Sequence, residues 1–340
     1  MEHIYVYACH EDEQALCQLE LRTLLGAGTV LGAGYAISPR RVEPNRSPFL
    51  KLRLDVACEA GSLPELASQV QTLTVRGSTF KVVFAETDTP VSYDQRRDVE
   101  RELGRHLGGK AEMRKPEQWF AVTQLGDRWL FGDCSYGEAV WLLHQQKPQN
   151  YSTALSTRVA RAVVNIAVPI TEGTRVIDPC CGIGTVLVEA MSMGIDIVGN
   201  DMNPLAVRGA RVNLAHFGMP NVVTLADMRS LSLPAAFPVP APAVPAAPAH
   251  VVAAPATAAP ADSAQCRYDA LILDMPYNLC SKLPEAEQLQ MLQSARRLAQ
   301  RAVIITTEQI DPLIEQAGFR IDERCAVNKG KFSRQIIVCG

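Results

Sequence analysis

The sequence predicts an α/β protein: a doubly wound, mostly parallel sheet over residues 151–340 with an antiparallel strand near its edge, preceded by an α+β module. Three observations lead there. From residue 174 onward, short apolar strand-like runs alternate with helical ones. One strand–helix junction, "VIDPCCGIGTVLVEA" (176–190), carries an acid followed by two closely spaced glycines. Before residue 135 strand-like runs, helical stretches and a hairpin read as an α+β module, and the chain closes on two strand-like runs joined by "NKGKFS".

In the first part, "IYVYACH", "FLKLRLDVAC" and "STFKVVFAE" read as strands with helical stretches between them. "SYDQRRDVERELGRHLG" is a helix: Ser92 and Gln95 form a capping box, and Val99, Leu103 and Leu107 share one face at i, i+4 and i+8. "WFAVTQLGDRWLFGDC" is a hairpin turning near Gly126-Asp127, and residues 136–150 are expected to be a linker. In the second part "TRVIDP" is a buried strand and "GTVLVEAMSMG" a helix ended by Gly194. "IDIVGND" is the next strand. It precedes a helix with Asn203 as N-cap, Pro204 at its first position and Gly218 beyond its end. "NVVTLAD", "YDALILD" and "AVIITT" supply further strands. "EAEQLQMLQSARRLAQ" and "DPLIEQAG" are helices, and "FRIDERCAV" with "RQIIVC" makes the closing hairpin.

Residues 233–264 are almost entirely alanine, proline and valine, with Asp262 the single formal charge. Closely spaced prolines remove amide donors, so this segment reads as a disordered insertion that interrupts a domain. Composition narrows the function classes. Apolar residues make up 47 % and charged residues 20 %, and no apolar run reaches the ~18–20 residues that would span a bilayer. The start "MEHIYVYACHEDEQ" lacks the basic flank and cleavage site of a signal peptide. Ten cysteines without a C-x-x-C pair read as reduced thiols in a cytoplasmic protein, with no metal site. Residues 1–150 hold 17 basic against 20 acidic residues, and 151–340 hold 16 against 16. Any nucleic-acid surface must therefore be a local patch.

In the glycine turn, Leu187 stands where a dinucleotide fingerprint has its third glycine, and Asp178 lies four residues before Gly182. Acid-x-x-x-Gly-x-Gly is instead the pattern of S-adenosylmethionine sites, with another nucleotide or a purely structural turn as alternatives. Gly182 and Gly184 would let the backbone pass close to the ligand, and Asp178 would approach its ammonium group. Asp201 and Asp227 close the next two strands, placed for ribose hydroxyls and for the adenine amine. Asp274-Met275-Pro276-Tyr277 ends the following strand at the same edge. It is close to the [Asp/Asn]-Pro-Pro-[Tyr/Phe] signature of enzymes that methylate exocyclic or amide nitrogens. Asp274 and the carbonyl of Met275 or Pro276 would accept the amine's hydrogens, and Tyr277 would stack the flat target.

These motifs, preceded by "KPQNYSTALSTRVARAVVNIA", resemble the THUMP-domain guanosine-N2 tRNA methyltransferases and their bacterial RNA methyltransferase relatives. The lead-in helix residues Ser156, Arg158, Ala160, Arg161 and Asn165 match that family's segment ahead of the glycine turn. The resemblance implies a class I S-adenosyl-L-methionine-dependent methyltransferase fold over 151–340. It also implies a ferredoxin-like part over 1–75 and a THUMP-like RNA-binding part over 76–135. Tyr151, Ser152, Asp178, Cys180, Gly182, Gly184, Thr185, Asp201, Met202, Asp227 and Met228 would hold the cofactor. Asp274, Pro276 and Tyr277 would be catalytic. Arg96, Arg97, Arg101, Arg105, Lys110, Arg114 and Lys115 would grip RNA, with tRNA the expected class. The signature equally serves N-methylation of ribosomal RNA, DNA adenine or a protein glutamine. A non-catalytic RNA-binding protein with a degenerate methyltransferase domain is a further alternative. Met275 replaces the family's first proline and Asn278 its glycine; the methionine is expected to loosen the loop holding the target amine.

Overall fold

The computed structural model describes residues 2–87, 90–151, 154–233, 267–276, 283–329 and 332–340. The expected insertion therefore lies outside the described residues from Pro234 onward.

The first part comprises β1 (His3–Tyr7), α1 (Gln14–Leu25), β2 (Val30–Leu31), β3 (Tyr35–Ser38), β4 (Leu50–Ala60), α2 (Leu63–Val70), β5 (Thr79–Phe84), α3 (Tyr93–His106), β6 (Lys110–Ala111), β7 (Gln118–Leu125) and β8 (Arg128–Tyr136). The strands form one sheet, ordered β2-β3-β1-β4-β8-β7-β5-β6. The expected division at 75/76 thus falls inside a continuous sheet, because β4 pairs with β8 from Leu52↔Tyr136 to Ala60↔Trp129. The Ser92–Gln95 capping box starts α3, and Val99 and Leu103 pack with Phe80, Phe120 and Phe131.

Residues 136–150 contain a 3-10 helix, Val140–Gln146, with Trp141 and His144 buried. A packed connector replaces the expected linker there. Beyond it lie α4 (Thr157–Ala167), β9 (Arg175–Asp178), α5 (Thr185–Ser192), β10 (Asp196–Asp201), α6 (Pro204–His216), β11 (Val223–Leu225), β12 (Tyr268–Asp274), α7 (Glu285–Leu298), β13 (Ala299–Thr306), α8 (Asp311–Gln316), β14 (Ile321–Lys329) and β15 (Phe332–Cys339). Their sheet is ordered β11-β10-β9-β12-β13-β15-β14 and is parallel except at β15, which runs antiparallel to both neighbours. The chain winds outward from β9 to β11, then returns to place β12 against the other side of β9. That reversal is a topological switch point, where open α/β sheets leave a crevice at the strands' carboxyl ends.

One face of this sheet packs against α4 and α5 and also against α1, so both parts share a core containing Leu16, Leu19, Val163, Ile272 and Ile305. The opposite face packs against α7 and α8 through Leu292, Leu298 and Ile314. A buried polar network crosses the junction of the two parts. Glu20 on α1 accepts from Ser47 Oγ (2.7 Å) and Asn165 Nδ2 (2.6 Å). Arg161 donates to Glu189 Oε2 (2.8 Å) and to the carbonyl oxygens of Asn45 (2.6 Å) and Arg46 (3.1 Å). His144 Nδ1 lies 2.7 Å from the other oxygen of Glu189. Satisfied in this way, the buried charges hold the two parts in one arrangement; stripped of a partner, each would be costly. Among the described residues, no helix is long and apolar enough to cross a membrane.

Candidate active site

β9 is buried because both sheet faces are covered, and it delivers Asp178 to the crevice with only 3 % of its surface exposed. One carboxylate oxygen accepts the Cys180 amide at 3.3 Å. Burial, with Asp274 and Asp201 adding like charge, raises this carboxyl well above the usual range. After it the chain turns through Gly182 at φ 54° and Gly184 at φ 79°, both left-handed. The two glycines serve different ends. A β-carbon on Gly182 would meet nothing within 4 Å, and the position opens into the cavity. A β-carbon on Gly184 would lie 3.2 Å from that of Ala210, so this glycine lets α6 approach. Thr185, buried at the start of α5, is off the cavity wall.

Asp201, the last residue of β10, accepts the Gly182 amide on one oxygen and the Asn203 amide on the other, both at 2.8 Å. The carboxylate thereby couples the glycine turn to the start of α6, and each oxygen keeps a lone pair for a ligand. Asp227 does not close β11, as its sequence position suggests, but stands two residues beyond it and caps a 3-10 turn, Met228–Ser230. Its oxygens accept from Arg229 Nε at 3.0 Å and Nη2 at 2.6 Å, and this guanidinium holds its carboxyl below the usual range. Cys180 Sγ lies 3.6 Å from Met228 Sδ, and burial beside Asp178 raises the thiol far above its ordinary value.

Asp274 ends β12, and its Oδ1 is buried without a hydrogen-bond partner among the described residues. Burial pushes this carboxyl up to about 7, against the lowering influence of Arg334. Met275 is not a loose substitute for proline. Its amide donates to Ile305 O at 2.8 Å, continuing the β12–β13 ladder, and its side chain is 4 % exposed within the cluster of Met228 and Met291. Proline has no N–H and could not make that bond. Since Met275 also precedes Pro276, which restricts it to extended conformations, it is held from both sides.

These residues line a cavity of about 420 Å³ whose wall includes Tyr151, Cys180, Gly182, Asp201, Met202, Asp227, Met228, Asp274 and Pro276. Ser152, Tyr277 and Asn278 lie outside the described residues. Asp178 and Gly184 lie behind the wall. Sequence reasoning missed Asn203, Arg229, Leu283, Glu287 and Met291. The i, i+4 spacing of Glu287 and Met291 on the helix after the Asp274 loop was the available signal for two of them. In the lead-in helix, Arg161 and Asn165 belong to the junction network, not to the cavity. Arg158 pairs with Glu13 at 3.2 Å and lies over the Trp141 ring at 5.4 Å.

The expected RNA-gripping residues lie in the first part, on α3, on the edge strand β6 and just after it, and none of them lines this cavity. Four of the arginines lie against carboxylates: Arg96 with Glu86, Arg97 with Glu100 (2.7 Å), Arg101 with Asp98 (3.4 Å) and Arg105 with Glu102 (2.9 Å). Lys110 lies in β6, and Arg114 donates its amide to Glu112 (2.8 Å) in the segment that also carries Lys115.

Residues 144–239 match the family model described as UPF0020: RMKL-like, methyltransferase domain. The chain is 31 % identical over 146 residues to the tRNA (guanine(10)-N2)-dimethyltransferase of Methanothermobacter thermautotrophicus, covering 40 % of this chain and 43 % of that protein. It is 38 % identical over 79 residues to the tRNA (guanine(10)-N2)-dimethyltransferase of Pyrococcus abyssi, covering 23 % of each. The aligned region thus spans less than half the length of the curated relatives it matches. Among solved structures, TrmN from Thermus thermophilus aligns over 100 % of this chain and 99 % of its own, at 16 % identity and a TM-score of 0.44.

Proposed function

We propose that the protein is an S-adenosyl-L-methionine-dependent N-methyltransferase whose target is the exocyclic N2 of a guanosine in tRNA. The observation that carries this reading is Asp274: a carboxylate with a buried oxygen, unpartnered among the described residues, at the wall of a cavity also lined by Asp201, Asp227 and the open face of Gly182. The match over 144–239 and the two curated relatives support it.

The cavity's residues fit the cofactor. Gly182 leaves space where any side chain would intrude, and Asp201 retains acceptor capacity for a diol. When bound, the cofactor supplies an electrophilic methyl group on a sulfonium. The chain's own part is to position the nucleophile. An exocyclic amine is weakly nucleophilic because its lone pair is delocalised into the ring. Asp274 Oδ1 accepts one of its hydrogens and the carbonyl of Met275 or Pro276 the other, favouring the geometry from which the lone pair can attack. With its carboxyl raised to about 7, Asp274 can also take the proton that the amine gives up.

The test is incubation of purified protein with labelled cofactor and total RNA lacking the modification, followed by nucleoside mass spectrometry. The expected product is N2-methylguanosine in tRNA. Label in ribosomal RNA, in adenine or in protein would overturn the target. Failure to bind S-adenosylhomocysteine would overturn the activity.

A further inference from the structure

The sheet of the first part has two unlike faces. Phe80, Val82, Phe120 and Phe131 pack with Leu66 of α2 and with Val99 and Leu103 of α3. Leu52, Leu54, Ala121 and Leu130 form a separate buried cluster, to which, among the described residues, no helix contributes. Side chains alternate along a strand, so Trp119 of β7 lies on this helix-free face with Ala121. Tyr136, paired with Leu52 at the end of β8, lies there too. Lys81 of β5, opposite Trp119, shares the face.

Here the apolar surface reaches solvent as an aromatic pair. Tyr136 is 44 % exposed, and its ring meets that of Trp119 edge to face, with centroids 5.1 Å apart and planes at 72°. Lys81 Nζ sits 4.7 Å from the centroid of Trp119 and donates to Met113 O at 3.0 Å. Those two contacts hold Trp119 and bring the segment "KAEMRK" (110–115) alongside it. The segment begins in β6, with Lys110 opposite Thr79. It contains three cations, and its acid, Glu112, accepts the Arg114 amide at 2.8 Å. The neighbouring Glu117 likewise accepts the Thr79 amide at 3.0 Å. An exposed ring, backed by a second ring and bordered by cations, suits unpaired nucleotides: bases stack on the ring while the charges follow the backbone.

We propose that Tyr136, supported by Trp119, is a stacking platform for an unpaired base of the RNA, with Lys110, Arg114 and Lys115 along that segment's backbone. The inference rests on the reading of the protein as an RNA methyltransferase. It gives the RNA a second contact, separate from the base that enters the cavity, since none of these residues lines the cavity. A double-helical RNA keeps its base faces within its own stack, so the platform selects unpaired segments.

The experiment measures binding of the full chain, with S-adenosylhomocysteine present, to unmodified tRNA transcript and to a blunt RNA duplex of equal length, across a salt series. Wild type is expected to prefer the tRNA. Tyr136→Ala should raise the tRNA Kd about tenfold, leaving the duplex Kd, the salt slope and S-adenosylhomocysteine affinity unchanged. Tyr136→Phe keeps the ring and should keep wild-type affinity. Tyr136→Leu is apolar but has no ring; it should lose as much as alanine, and it carries the test if the alanine form fails to fold. Lys110→Gln, Arg114→Gln and Lys115→Gln combined should lower the slope of log K against log salt by about 2. The proposal is overturned by equal wild-type affinity for both RNAs, by wild-type tRNA affinity in Tyr136→Ala, or by equal loss in Tyr136→Phe. Loss on the duplex as well, or an unchanged slope in the triple variant, would also overturn it. A wild-type protein that binds S-adenosylhomocysteine but no RNA would instead overturn the functional reading beneath it.

Discussion

At Asp274 two demands oppose each other. The side chain must be an anion to accept hydrogens from an amine, yet burial favours its neutral form and lifts its carboxyl to about 7. kcat/KM should therefore fall about tenfold per pH unit on the acid side of about pH 7, because protonation removes the acceptor. Asp274→Asn should lose at least about 100-fold in kcat and keep S-adenosylhomocysteine affinity. A wild-type profile that stays flat across about pH 5 to 8, or full activity in the Asp274→Asn variant, would remove this residue from the chemistry. The identity of Asp274 was legible in the sequence, since an acid and Pro276 follow a buried strand. The anchoring of Met275 was not. It depends on Ile305, a strand further along the chain, offering a carbonyl at the right height.

Among the elements, the strand–turn–helix from β9 to α5 shows how one motif divides its work. Gly182 faces the cavity and Gly184 faces α6, though both adopt positive φ. Alanine at either position should cost about 1–2 kcal/mol for the left-handed backbone. Gly182→Ala should in addition lose cofactor affinity, since its methyl points into the cavity, as calorimetry would show. Gly184→Ala should mainly lower the melting temperature, through the 3.2 Å contact with Ala210. Equal affinity losses in the two variants would contradict this division. The spacing of the glycines is a sequence signal; which one meets the ligand is decided by where α6 packs. The helix α3 gives a similar lesson. Its capping box and apolar face were readable, but the pairing of its arginines with acids three residues away, and of Arg96 with Glu86, makes it a charge-compensated surface.

The whole molecule is tied together at Glu20, Asn165, Arg161 and Glu189. Burial pushes the Glu20 carboxyl up to about 7. An unfolded chain releases that proton near pH ~4.3, whereas the folded one holds it to about 7. Stability from this group is complete below ~4.3 and is lost as pH rises to about 7, on the order of 3 kcal/mol. Glu20→Gln should flatten that part of the denaturation profile relative to wild type. Arg161→Ala should cost about 3–5 kcal/mol by leaving Glu189 buried without its cation. A loss below about 1 kcal/mol in chemical denaturation would show that the junction is not held by this pair. Taken alone, the sequence determined the alternation of strands and helices, the glycine turn and the acids that end β9, β10 and β12, because periodicity and turn chemistry are local. Tertiary structure decided which acids share the cavity, which glycine faces it, and that Arg161 and Asn165 join the two parts. Those outcomes depend on strand order and helix packing, which bring together residues more than a hundred positions apart.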